Sequence, residues 1–145
     1  LRNSDVGVAS SKIATMKAVR LILLDFQQTF AKNPPEGRSG TILDGRDIAT
    51  VVCPEADFKI FVTANIEIRA KRRWKQLIQS DEPAIYARVL EDLRERDTRD
   101  STRQNAPLRK DSDAITIDTS HLDAEQTFET ARKYIASRDL NRQRS

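Results

Sequence analysis

A single cysteine and a single histidine in 145 residues leave this chain little thiol or imidazole chemistry. Cys53 has no second cysteine with which to close an internal disulfide, so no framework of bridges holds the fold. A zinc centre built from His and Cys, which needs three or four such ligands, is equally out of reach. No apolar run approaches the roughly 18 residues of a membrane span. The opening Leu1-Arg2-Asn3-Ser4-Asp5 has no apolar signal core, so the expected setting is the reducing cytoplasm. An excess of one charge is missing too: 25 Lys and Arg face 22 Asp and Glu, a net of +3. That is far from the concentrated charge of a dedicated nucleic-acid binder, although small anionic ligands remain open. The length, with 38% apolar residues, fits one small globular domain. The first residue is Leu rather than Met, which raises the expectation of a fragment.

Apolar residues recur at helical spacing between Asp5 and Ala31, with Met16, Val19, Leu23, Phe26 and Phe30 three or four positions apart and a break expected near Thr15. Prolines and glycines between Lys32 and Gly40 stop that helix. Thr41-Ile42-Leu43 reads as a short buried strand closed by the Asp44-Gly45 turn, and Phe58 to Val62 as a second strand. A basic helix follows over 66–78, with Arg69, Lys71, Arg72, Arg73 and Lys75, and then a long helix from Ala84 to Arg103 behind Asp81-Glu82-Pro83. Ala114 to Asp118 reads as a third strand, Ser120 to Asp123 as a helix start, and Ser137 to Ser145 as a frayed tail. Helices alternating with short buried strands predict an α/β fold with a mostly parallel sheet.

The long helix carries the most informative pattern. Tyr86, Val89, Leu90 and Leu93 form an apolar stripe whose angular sector is continued by Arg96, Asp100 and Arg103. Charges on a core-facing sector must pair, reach the helix end or face a polar ligand, because burying them unpaired costs several kcal/mol. A ladder of Arg96, Asp100 and Arg103 and a ligand site both satisfy that spacing. Asp44-Gly45-Arg46-Asp47 lies where ligands of open α/β sheets bind, beyond the carboxyl end of a strand, and a guanidinium there suits a phosphate; a tight turn capped by Asp is the plainer account. Arg69, Arg72 and Arg73 fit either phosphate contact across a cleft or a solvated helix face. Trp74 fits an edge cover better than a base-stacking platform, His121 a helix start better than catalysis, and Cys53 an inert small hydrophobe.

Three stretches together resemble the bacterial cytidylate kinases, nucleoside monophosphate kinases of the P-loop superfamily. They are Val8 to Ala14 with Val19-Arg20, Leu43 to Val52, and Glu95 to Arg103 with Ala106-Pro107-Leu108. The resemblance runs over nearly the whole chain. It implies that Ser11, Arg20, Asp47 and Arg103 read the cytosine, that Arg96 and Asp100 lie at the ribose, and that the Asp44 turn and Arg46 meet the acceptor nucleotide, Arg46 at its phosphate. It also implies that Arg72 and Arg73 belong to a lid supplying cations to the transferring phosphoryl group. Arg46, Arg72 and Arg73 are then the electrostatic candidates for catalysis, and the charged end of the stripe becomes a nucleotide-facing wall. Val8 stands where the family usually has Asn, Ser10 where it has Ala, and Ala49 where it has Gly.

The resemblance implies a P-loop NTPase-type parallel sheet with helices on both faces, and phosphoryl transfer from ATP, with Mg²⁺, to CMP or dCMP. The corresponding divisions are residues 1–68 as core with part of the monophosphate region, 69–85 as a lid-like basic segment, 86–136 as core and 137–145 as the tail. No G-x-x-x-x-G-K-[ST] occurs in this sequence, so the donor-phosphate loop is not among these residues. With the family's sheet order 2-3-1-4-5, the strands seen here would be the third, fourth and fifth, and the central first strand would be missing. Its slot, about 4.8 Å on each side, would leave apolar edges bare, so the chain is expected to need the amino-terminal segment, covalent or associated, and to turn over little or nothing alone. Two other readings stay open: a P-loop kinase for a different small acceptor, and a basic nucleic-acid module over Arg69 to Lys75, whose affinity would fall steeply with salt.

Overall fold

A computed structural model describes residue 13, residues 16–102 and residues 108–142, the last four by backbone alone. The chain divides into two compact units, Leu1–Glu55 with Gln104–Arg109, and Ala56–Arg103 with Lys110–Ser145.

In the first unit, helix α1 covers Lys17–Lys32. It ends at Asn33, whose backbone N–H and side-chain amide both donate to the Thr29 carbonyl, at 3.0 and 2.8 Å. The prolines at 34 and 35 then offer no amide to prolong it. The apolar repeat is present as a pattern, yet no residue of α1 is buried, and Ile22 and Phe26 are 72% and 65% exposed.

Thr41-Ile42-Leu43 corrects the sequence expectation: it is irregular, not a strand, and Ile42 is 98% exposed. A strand is a pairing, and this segment has no ladder partner among the described residues. The Thr41 hydroxyl donates instead to the Ala31 carbonyl at 3.2 Å. The chain then bends at Gly45, where a Cβ would come within 2.9 Å of Ile48 Cγ1, so glycine permits the close approach. A π-helical segment, Ile48–Val52, follows, with Val52 N–H donating to Asp47 O at 3.2 Å and Cys53 N–H to Ile48 O at 2.7 Å. Val52 is buried.

In the second unit, β1 (Ile60–Thr63) and β2 (Ile115–Asp118) pair in parallel, Ile60 opposite Ile115 and Thr63 opposite Asp118. The ladder is extended by Ile115 N–H to Lys59 O at 3.1 Å and by Thr119 N–H to Thr63 O at 2.8 Å. Between the strands run α2 (Ile66–Gln79) and α3 (Tyr86–Thr102), which pack on one another. Ala70 and Leu77 are buried on α2 and Val89 on α3, beside Ala64, Ala114 and Ile117. Trp74 closes the α2–α3 corner, its Nε1–H donating to the Ala84 carbonyl at 3.1 Å and its ring edge-on to Tyr86. That fixes Trp74 as an edge cover.

Helix α4 (Ala124–Arg142) opens with a capping box: Gln126 N–H donates to Asp123 Oδ1 at 2.8 Å while Asp123 N–H donates to Gln126 Oε1 at 3.0 Å. It continues through Ser137, where the sequence suggests fraying. The described architecture is thus a helix-rich α/β arrangement with a two-stranded parallel sheet.

Candidate functional site

Within the second unit, the carboxyl ends of β1 and β2 open on a cleft of roughly 700 Å³ lined by Thr63, Asn65, Glu67, Asp118, Ser120 and His121 among others. Parallel strands deliver polar residues and helix starts to this end of a sheet, which is why ligands gather there. Asn65 caps α2, its side chain accepting from Glu67 N–H at 2.9 Å, and its own N–H donates to Ser120 Oγ at 2.8 Å. Asp118 accepts from Ser120 Oγ at 2.6 Å and from Ser120 N–H at 2.9 Å. Sequence reasoning singled out only His121 of this set; the missed signal was the run Asp118-Thr119-Ser120 at the tip of a parallel strand.

The hydroxyl and amide of Ser120 hold the Asp118 carboxyl below the usual carboxylate range, with His121 adding a smaller effect. A lowered folded pKa stabilises above the unfolded value and is lost as pH falls through the folded one. Amide exchange in the β2–α4 turn, corrected for intrinsic rates, is therefore expected to be flat from neutral pH to about 5 and to quicken only below about pH 4.

The basic helix is largely engaged with the protein itself. Arg69 donates through Nε to the Ala64 carbonyl at 3.0 Å and through both terminal nitrogens to the Asp97 carboxylate, at 3.0 and 2.6 Å. Arg72 donates to Thr119 Oγ1 at 3.1 Å, to the Thr119 carbonyl at 2.5 Å and to the Leu122 carbonyl at 3.0 Å. Arg73 donates to Gln76 Oε1 at 3.1 Å. The structure thus ties Arg72 to the loop beyond β2, beside the cleft.

On α3 the charged continuation of the apolar stripe divides by burial. Asp100 is 6% exposed, whereas the Arg96 side chain is 48% exposed and brings Nε to 3.8 Å from Asp100 Oδ2. The spacing of four residues made that pair legible, and the burial of Asp100 follows from its sharing a face with buried Val89. Arg103 lies outside the described residues.

In the first unit, Arg20 Nη2 lies 2.7 Å from Asp47 Oδ2, both side chains about four-fifths buried. This unites two residues expected to serve one base. Asp44 is exposed and Arg46 half-buried on the bend before the π-helical segment. Ser11 lies outside the described residues, as does most of the stretch from Val8 to Ala14. No described helix is long and apolar enough to cross a membrane.

The sequence model of the family described as "Cytidylate kinase" matches residues 1–137. The chain is similar to a cytidylate kinase of Paramagnetospirillum magneticum, 53% identical over 95% of this chain and 65% of that protein. It is also similar to cytidylate kinases of Bartonella bacilliformis, at 48% over 90% of the chain and 59% of the relative, and of Rhodospirillum rubrum, at 47% over 94% and 64%. The chain therefore spans about three-fifths to two-thirds of the length of these curated relatives.

Proposed function

The chain belongs to the cytidylate kinase family, and on that footing we propose that it forms the acceptor side of an enzyme transferring the γ-phosphoryl group of ATP to CMP or dCMP, giving CDP or dCDP. The observation that carries this reading is the buried Asp100 carboxylate on the charged continuation of an apolar helix face, with the Arg96 guanidinium beside it. A carboxylate is suited to accept from two ribose hydroxyls, and an arginine next to it holds the charge there. Arg20, Asp47, Ser11 and Arg103 read the cytosine. Asp44 and Arg46 meet the acceptor nucleotide, with Arg46 on its phosphate, and Arg72 and Arg73 contribute cationic charge to the transferring group.

The chemistry is alignment and electrostatic stabilisation without a covalent intermediate. No general base is needed, since the attacking oxygen belongs to an already anionic phosphate. Among the described residues no group of three or more His, Cys, Asp and Glu lies together to hold a metal. Mg²⁺, which prefers phosphate oxygens and water, would supply charge neutralisation to the transferring phosphates when bound with ATP. In this reading the donor-phosphate loop and the central strand would be supplied by the family's amino-terminal portion. The parallel pairing of β1 with β2 is compatible with their being the fourth and fifth strands of the 2-3-1-4-5 sheet.

Competition of CMP, UMP and AMP as acceptors tests the base-reading assignment. Asp47→Asn and Ser11→Ala are expected to flatten the preference for CMP about tenfold, the value of one good hydrogen bond to a charged group. An unchanged preference in both variants would leave another acceptor for the same phosphotransfer chemistry.

A further inference from the structure

We propose that Arg69 and Asp97 are a positioning pair that sets the rotation of α3 and thereby the aim of Asp100 at the acceptor nucleoside. The proposal rests on the reading of Asp100 as a ribose acceptor and adds two residues to it that touch no substrate.

The Arg69 guanidinium is used on two sides. Its Nε–H grips the Ala64 carbonyl just beyond β1, and its two terminal nitrogens hold both oxygens of Asp97. A two-pronged contact fixes the plane of the carboxylate, whereas a single bond leaves it free to swing. Asp97 lies about 60° around the helix from Asp100 and about 4.5 Å along it, at 100° and 1.5 Å per residue. Val89, Arg96 and Asp100 fall within about 40° of one another by the same count. The apolar stripe sets α3 through Val89 near its start, but beyond Leu93 the inward sector is charged and supplies no packing of that kind. Arg69 takes over there, anchoring the carboxyl half of α3 to the strand end. Both side chains remain about one-third exposed, so the pair contributes modest energy and mainly geometry.

The test uses the protein at its natural full length and reads CMP and ATP affinities by calorimetry, alongside melting temperature. Asp97→Asn keeps the size of the side chain and removes its charge, and Arg69→Lys keeps the charge and removes the fork. Each is expected to weaken CMP about tenfold while leaving ATP within about twofold, since a misaimed ligand costs affinity only where it is used. Asp97→Glu, which restores a two-oxygen acceptor, is expected to recover most of the loss. A pair that merely stabilises the fold would lower the melting temperature and weaken both nucleotides or neither, which would overturn the positioning role. Wild-type protein that fails to bind CMP would remove the substrate reading and this inference with it. Wild-type protein that binds CMP while both variants bind equally well would remove the inference alone.

Discussion

Arg46→Ala is expected to lower kcat for CMP phosphorylation about 10²- to 10³-fold, with KM for ATP changed far less. The range is that for removing one preorganised donor from developing charge, about 2.7–4 kcal/mol. Arg46 is half-buried on the bend between Gly45 and the π-helical segment. That bend depends on the close approach of Gly45 to Ile48 and on Asp47, whose carbonyl takes two amides while its carboxylate holds Arg20. The backbone under Arg46 is thus anchored on both sides, as the proposed phosphate contact would require. Arg46→Lys should recover little, because a point charge does not reproduce two parallel donors. Steady-state kinetics decides: a loss confined to the KM of CMP would make Arg46 a binding residue with no share in the transition state.

Asp100→Asn is expected to weaken CMP by about 2–3 kcal/mol, roughly 30- to 150-fold, as hydrogen bonds from the ribose hydroxyls lose a charged acceptor. The substitution is isosteric, so packing around this 6%-exposed residue is kept, and the change reports charge and hydrogen bonding. Arg96→Ala should cost less, since the Arg96 side chain is about half exposed and its contact at 3.8 Å is long. Equal effects from the two substitutions would argue for a mutual ion pair without a ligand, the bland alternative that spacing alone allowed.

The helices and two of the three expected strands were legible because their signals are local. The helix start at Asp123 and the apolar repeats each lie within a turn or two of the residues they organise. Thr41 to Leu43 was misread because strand composition says nothing about whether a neighbour is present to pair with it. The π-helical segment had no signal in composition, since one extra residue in a turn is decided by the packing around it. The arginines of α2 show the same boundary between local and distant information. Arg69 meets Asp97 twenty-eight positions away and Arg72 meets Thr119 forty-seven away, contacts that a local run of basic residues does not announce. By contrast, Arg96 with Asp100 was visible at once, being one helical turn apart.

The central claim is that a pyrimidine nucleotide docks against the carboxyl half of α3. An NMR titration of the full-length protein with CMP, following backbone amides from Leu93 to Thr102, tests it most directly. Saturable shifts centred on Arg96 and Asp100, and lost in Asp100→Asn at the same CMP concentration, are the expected result. CMP that binds while those amides stay still, its shifts confined to other elements, would contradict the account.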